Sequence, residues 1–200
     1  MFKSYTAWWK ETPKAIRIFL FKGLLLLVVW KAVYVLYLGP SGVLDKPLTT
    51  LVGRQTTTVL NAFTSGTNYS NVLERFSADD EPDQLGEPLN AVIYCKGRQV
   101  LTVANACNGL ELFVLYIGFL ICMPASFLRI LFFLVSGVLA IHILNVMRCA
   151  GLGWLSSYHP GLLNFAHHYL FKIILYSVIL IFWLLFTKQN PFRFELKGRK

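Results

Sequence analysis

The chain has 200 residues, enough for one ordinary domain, but only 14% are charged and 56% are hydrophobic. A mean hydropathy of +0.55 excludes an ordinary water-soluble domain. The net charge of +9 does not make a nucleic-acid patch, because the Lys and Arg gather at the two termini beside long apolar runs. That pattern predicts an all-α integral membrane protein of about four transmembrane helices, with the lipid bilayer as its partner and no nucleic acid.

Residues 1–17 are basic and amphipathic, and Trp8 and Trp9 suit a headgroup region. Residues 18–38 are the first span, interrupted by Lys22 and Lys31 and ended by Gly39-Pro40-Ser41-Gly42. Lys31 can reach outward or face the bundle. Residues 39–106 form the only sizeable polar segment. Within it, residues 47–63 read as an amphipathic helix near the interface, and residues 78–88 as an acidic loop. Val92-Ile93-Tyr94 and Val100-Leu101-Thr102-Val103 flank Lys96-Gly97 and predict a short β-hairpin.

The second span occupies residues 107–126. Its apolar stretch, 109–123, is short for a crossing, so neighbouring residues are expected to extend it. Residues 129–147 are the third span, after a brief turn at Arg129. Residues 148–167 read as a Gly-, Ser- and His-containing loop, residues 168–187 as the fourth span, and 188–200 as a basic tail. Basic segments stay in the cytoplasm, so both termini are expected inside, and 39–106 and 148–167 outside.

Three junctions carry distinctive chemistry. Cys107 opens the second span, Arg148 closes the third and His168 opens the fourth, all on the outer face of this topology. A helix N-terminus lowers a cysteine pKa and so favours the nucleophilic thiolate. Arg148 can assist that, or bind the oxyanion of an acyl-transfer transition state. A histidine can take the thiol proton or protonate a leaving amine. Asn145 lies one turn before Arg148 and can orient the guanidinium or a substrate backbone. His142 reads as a packing residue bonded to a neighbour, and Lys172 as a lysine snorkelling outward. No CxxC or zinc spacing occurs among Cys95, Cys107, Cys122 and Cys149, so neither a metal nor a cofactor is expected.

The same residues resemble the exosortase/archaeosortase family. Ala106-Cys107-Asn108-Gly109-Leu110 is similar to its A-C-x-G-[LI] motif, Asn145-Val146-Met147-Arg148 to its N-x-x-R, and His168 to its third motif. The resemblance covers roughly residues 90–186. It implies a membrane cysteine protease-transpeptidase on the extracytoplasmic face of a bacterial cytoplasmic membrane. Its substrates would be exported proteins bearing a C-terminal motif, a hydrophobic helix and a basic tail. The new C-terminus would pass to an amine-bearing acceptor, glycan or lipid-linked. Carried over by motif, Cys107 is the nucleophile, Arg148 the oxyanion or substrate stabiliser and His168 the acid/base, with Asn108, Gly109, Asn145 and His167 in support. The chain departs from the pattern at Asn108, where many members have Ser, at Glu111, and at Lys172, where a Gly is frequent. With four spans against about eight in many members, it looks like a compact variant of the Bacteroidetes type.

Two other classes compete. A non-catalytic membrane scaffold would tie Cys107 or Cys95 to Cys149 in a structural disulfide. A small transporter would use Arg148 and His142 in a polar pathway.

Overall fold

The computed structural model describes residues 14–64, 66–75 and 89–188. The tryptophans of the basic N-terminus, the acidic loop at 78–88 and the basic tail after Lys188 lie outside them. The first helix, α1 (Lys14–Val33), continues through a π-helical turn, Tyr34–Leu38, into a last short turn, Gly39–Ser41. The π turn directly precedes Pro40, whose missing N–H already breaks the regular hydrogen-bond ladder.

Next comes α2 (Asp45–Phe63). Asp45, Thr49, Val52, Gly53, Thr56 and Leu60 are its buried residues, a stripe of helical period. Pro47 sits in its first turn, where proline costs little. The stripe packs on a three-stranded antiparallel sheet of order β1-β2-β3, formed by Tyr69–Arg75, Leu89–Cys95 and Arg98–Val103. The anticipated hairpin is β2–β3. Both of its turn residues take positive φ (Lys96 50°, Gly97 77°), the backbone twist that a two-residue hairpin loop requires. The preceding strand, β1, was not anticipated.

The apolar helices follow: α3 (Leu110–Cys122), α4 (Phe127–Tyr158), α5 (Pro160–Phe165), a π turn at Ala166–Leu170, and α6 (Phe171–Lys188). Among the described residues, three helical stretches are long and apolar enough to cross a membrane: Ile16–Ser41, Phe127–Tyr158 and Pro160–Lys188. The shorter apolar helix is α3, at 13 residues. Outward-facing Phe132, Leu139, Ile173, Leu180 and Leu184 are more than half exposed in the isolated chain, as lipid-facing side chains would be.

Two boundaries differ from expectation. The segment 148–167 is not a loop. Helix α4 runs on to Tyr158 and breaks only at His159, the residue before Pro160, where the α conformation is disfavoured. Its glycines are there for packing. A Cβ at Gly151 would meet the Phe171 ring at 2.7 Å, and one at Gly153 would meet Leu60 at 3.1 Å. The α3 helix is also not extended by its neighbours. Residues 105–107 form a 3₁₀ turn, and Met123 is extended ahead of Pro124.

The described residues form two hydrophobic cores. One joins α2, the sheet and the far half of α4 through Val52, Leu60, Tyr69, Ala91, Ile93, Val103, Val146, Cys149 and Ala150. The other lies among the apolar helices and is rich in aromatics, with Tyr116, Phe133 and Phe186 buried and Phe119 stacked on Trp183 at 4.3 Å. Arg129 is more than a turn residue. Its guanidinium donates to the Phe186 carbonyl near the C-terminus of α6 and stands over the Phe186 ring, 5.0 Å from the centroid.

Candidate active site

Strand β3 leads directly into the turn that carries Cys107. The Cys107 N–H donates to the Ala104 carbonyl at 2.8 Å and closes the 3₁₀ turn. Gly109 then takes φ 90°, a left-handed conformation that favours glycine, and α3 begins at the next residue. A Cβ at Gly109 would stand 3.2 Å from Asn145 Nδ2. Asn108 is fully buried, and its Oδ1 accepts the Leu110 N–H at 2.9 Å, satisfying one of the unpaired donors at the helix start. Cys107 is therefore held, half-buried, just ahead of the positive end of α3.

Asn145 grips the same turn from α4. Its Nδ2 donates to the Cys107 carbonyl at 2.9 Å, while its buried Oδ1 has no partner among the described residues. Asn145, expected to orient the guanidinium or a substrate backbone, is here bonded to the cysteine's own backbone. Arg148, one turn further on, is half-buried, and its Nε has no hydrogen-bond partner among the described residues. Cys149, by contrast, is 2% exposed and packed into the core with α2 and the sheet. All four cysteines are free thiols.

Cys107, Gly109, Glu111, Arg148, His167 and Lys172 line one cavity of about 530 Å³. Its apolar wall includes Leu27, Trp30 and Leu175. Across it, Lys31 of α1 donates to Glu111 at 2.8 Å, with both side chains largely exposed. This pair gives partners to two residues that the sequence presents only as an interruption of the first span and a departure from the family motif. Lys172 and Tyr176, four residues apart on α6, also face the cavity. Lysine snorkelling was a sufficient reading of Lys172 in the sequence, and only the packing of α6 against α3 and α4 reveals the alternative.

The two histidines of the doublet are placed differently. His167 is half-buried and lines the cavity. His168 is exposed, its Nδ1 lies 3.1 Å from the Asn164 carbonyl, and it borders an adjoining depression that shares Lys172 and Tyr176 with the cavity. Both sit in the π turn Ala166–Leu170. A π turn holds more residues than an α turn, so it rotates the register of every side chain that follows relative to a uniform helix. His142 lies elsewhere, its Nε2 2.6 Å from Gln55 Oε1 and its ring beside Phe113. No group of three or more His, Cys, Asp or Glu residues is placed to hold a metal among the described residues.

A thiol at a helix start, a guanidinium and an imidazole thus line one cavity among the apolar helices of a membrane protein. A family model described as transmembrane exosortase matches residues 6–187 of the 200. The chain belongs to that family. No curated protein and no solved structure matches it.

Proposed function

We propose that this protein is a sortase-like cysteine peptidase and transpeptidase of the bacterial cytoplasmic membrane. It acts at the extracytoplasmic face on exported proteins that carry a C-terminal motif, a hydrophobic helix and a basic tail. The observation that carries this reading is that Cys107, Arg148 and His167, from three separate parts of the chain, line one cavity at the start of α3. Four free thiols favour it over a scaffold built on a disulfide.

In the first half-reaction His167 takes the Cys107 proton, and the thiolate attacks the scissile carbonyl carbon. The carbonyl π electrons move onto oxygen, and Arg148 donates to the resulting oxyanion. Collapse of the tetrahedral intermediate breaks the C–N bond. The leaving amine takes the proton from the His167 imidazolium, and a thioester to Cys107 remains. An acceptor amine, or water, then attacks the thioester. His167 removes its proton and returns it to the sulfur. Asn145 and Gly109 fix the nucleophile's backbone, and Asn108 fixes the helix start that favours the thiolate.

The test is Cys107→Ser in cells that express a membrane-anchored substrate with such a tail. Processing should be abolished, while the variant accumulates in the membrane at the normal level. Normal processing by Cys107→Ser would reject the reading. His167→Ala should reduce processing far more than His168→Ala, and the reverse order would return the acid/base role to His168.

A further inference from the structure

Beneath the Cys107 turn lies a buried polar cluster whose carboxylate none of the chemistry above uses. Asp45, in the first turn of α2, is only 1% exposed. One carboxylate oxygen accepts Asn108 Nδ2 at 2.8 Å, and the other accepts the Tyr34 hydroxyl at 3.0 Å. One turn along α2, the Thr49 hydroxyl donates to Asn105 Oδ1 at 3.0 Å and also lies 3.3 Å from Asn108 Nδ2. Asn105 and Asn108 bracket Cys107. The two ends of the nucleophile's turn are therefore both fastened to α2, while Asn145 holds its middle from α4.

The hydrogen-bond inventory explains why a carboxylate stands here. Asn108 Oδ1 is committed to the Leu110 N–H, so only its NH₂ faces Asp45. The Tyr34 hydroxyl also points its proton inward. Both neighbours donate, and an ionised carboxylate is the side chain that only accepts. A buried carboxylate is costly unless its hydrogen bonds are made, and removing one member of such a set leaves the others unpaired. The arrangement is rigid for that reason. It meets the cavity through the cysteine turn, and also through Tyr34, whose ring lies 5.8 Å from that of the cavity-lining Trp30.

We propose that Asp45 is a positioning residue for Cys107, acting through Asn108 to hold the thiol at the start of α3 and against the cavity. This rests on the reading of Cys107 as the nucleophile, but its test does not need a substrate. The readout is the rate at which iodoacetamide alkylates Cys107 in the full-length protein in membranes, followed site by site by mass spectrometry. Asp45→Ala should slow Cys107 alkylation tenfold or more. Asp45→Asn should stay within about threefold of the wild type, because its Oδ1 can still accept from Asn108 while the Tyr34 hydroxyl turns to accept. Asn108→Asp sets two carboxylates against each other and should fall as far as Asp45→Ala. The double variant carrying Asp45→Asn and Asn108→Asp exchanges donor and acceptor, and should recover at least threefold over Asn108→Asp alone.

A Cys107 rate unchanged in Asp45→Ala overturns the proposal, and so does a double variant no faster than Asn108→Asp. If Asp45→Ala fails to fold, the exchange pair still decides. Normal substrate processing by Cys107→Ser would sink the peptidase reading and leave this measurement standing.

Discussion

The cap of α2 and the sheet and the bundle of α1, α3, α4 and α6 are built on different physics, although α4 runs through both. The cap is held like a soluble domain. Aliphatic side chains such as Val52, Ile93 and Val103 are fully buried, and polar Asp45, Thr49 and Asn108 are buried among them with their bonds made. There, removing apolar surface from water is the main driving force. The bundle turns its apolar surface outward as well as inward. Lipid is as apolar as a leucine side chain, so burial alone gives the helices little reason to associate. What joins them is close fit and a few directional bonds. Tyr116 lies against Gly137 and donates its hydroxyl to the Phe133 carbonyl at 2.6 Å. Arg129 ties the start of α4 to the end of α6. The candidate site sits where the two regimes meet, with the cap holding the nucleophile's turn and the bundle supplying the cavity walls.

Substitutions can test that division, beginning with the site shared by both regions. Arg148→Ala should leave both folds intact and reduce substrate processing by about 10²–10³, the usual effect of removing an oxyanion donor. Wild-type rates in that variant would remove Arg148 from the chemistry. Within the cap, Ile93→Ala empties a fully buried position and should destabilise by about 2–5 kcal/mol. Hydrogen exchange should then quicken in the sheet and α2 and stay unchanged in α3 and α6. Equal quickening in both regions would mean that they unfold as one unit.

In the bundle the sensitive step is overpacking. A Cβ at Gly137 would fall 2.2 Å from the Tyr116 ring, so Gly137→Val should cost about 1–3 kcal/mol in detergent unfolding while sparing the sheet. Tyr116→Phe removes one buried hydrogen bond to a carbonyl and should cost about 1 kcal/mol by the same measurement. The smallest effect belongs to the exposed Lys31–Glu111 pair. Glu111→Gln should change stability by less than about 1 kcal/mol, and any larger loss would show that the pair is shielded from solvent.

Much of this division is legible in the sequence. The hairpin is signalled by β-branched runs around Lys96-Gly97, and the end of the first span by Gly39-Pro40-Ser41-Gly42. Cys107 and Arg148 stand out because their chemistry is unexpected beside apolar runs. What escaped is structure fixed by distant contacts. β1 pairs along its whole length with β2, yet its own residues, Tyr69-Ser70-Asn71-Val72-Leu73-Glu74-Arg75, carry no clear alternation. The glycines and serines after Arg148 resemble a loop locally. They are helical because Phe171 and Leu60 pack against the bare glycine positions, and the Ser157 hydroxyl then turns back to the Gly153 carbonyl at 3.0 Å. His167 and His168 are indistinguishable by spacing once a π turn breaks the uniform period. Asp45 looks like a routine acid in a first helical turn, and only the fold brings Asn108 and Tyr34 to it.

One consequence follows from the length of α3. Thirteen residues at helical rise span about 20 Å, against about 30 Å for the hydrocarbon core of a bilayer. A helix whose Cys122 end sits at one hydrocarbon boundary therefore carries its Leu110 end only part of the way to the other. Length alone therefore sets α3 apart from α1, α4 and α6, and the Cys107 turn stands about 20 Å along the bundle from the Cys122 end of that helix.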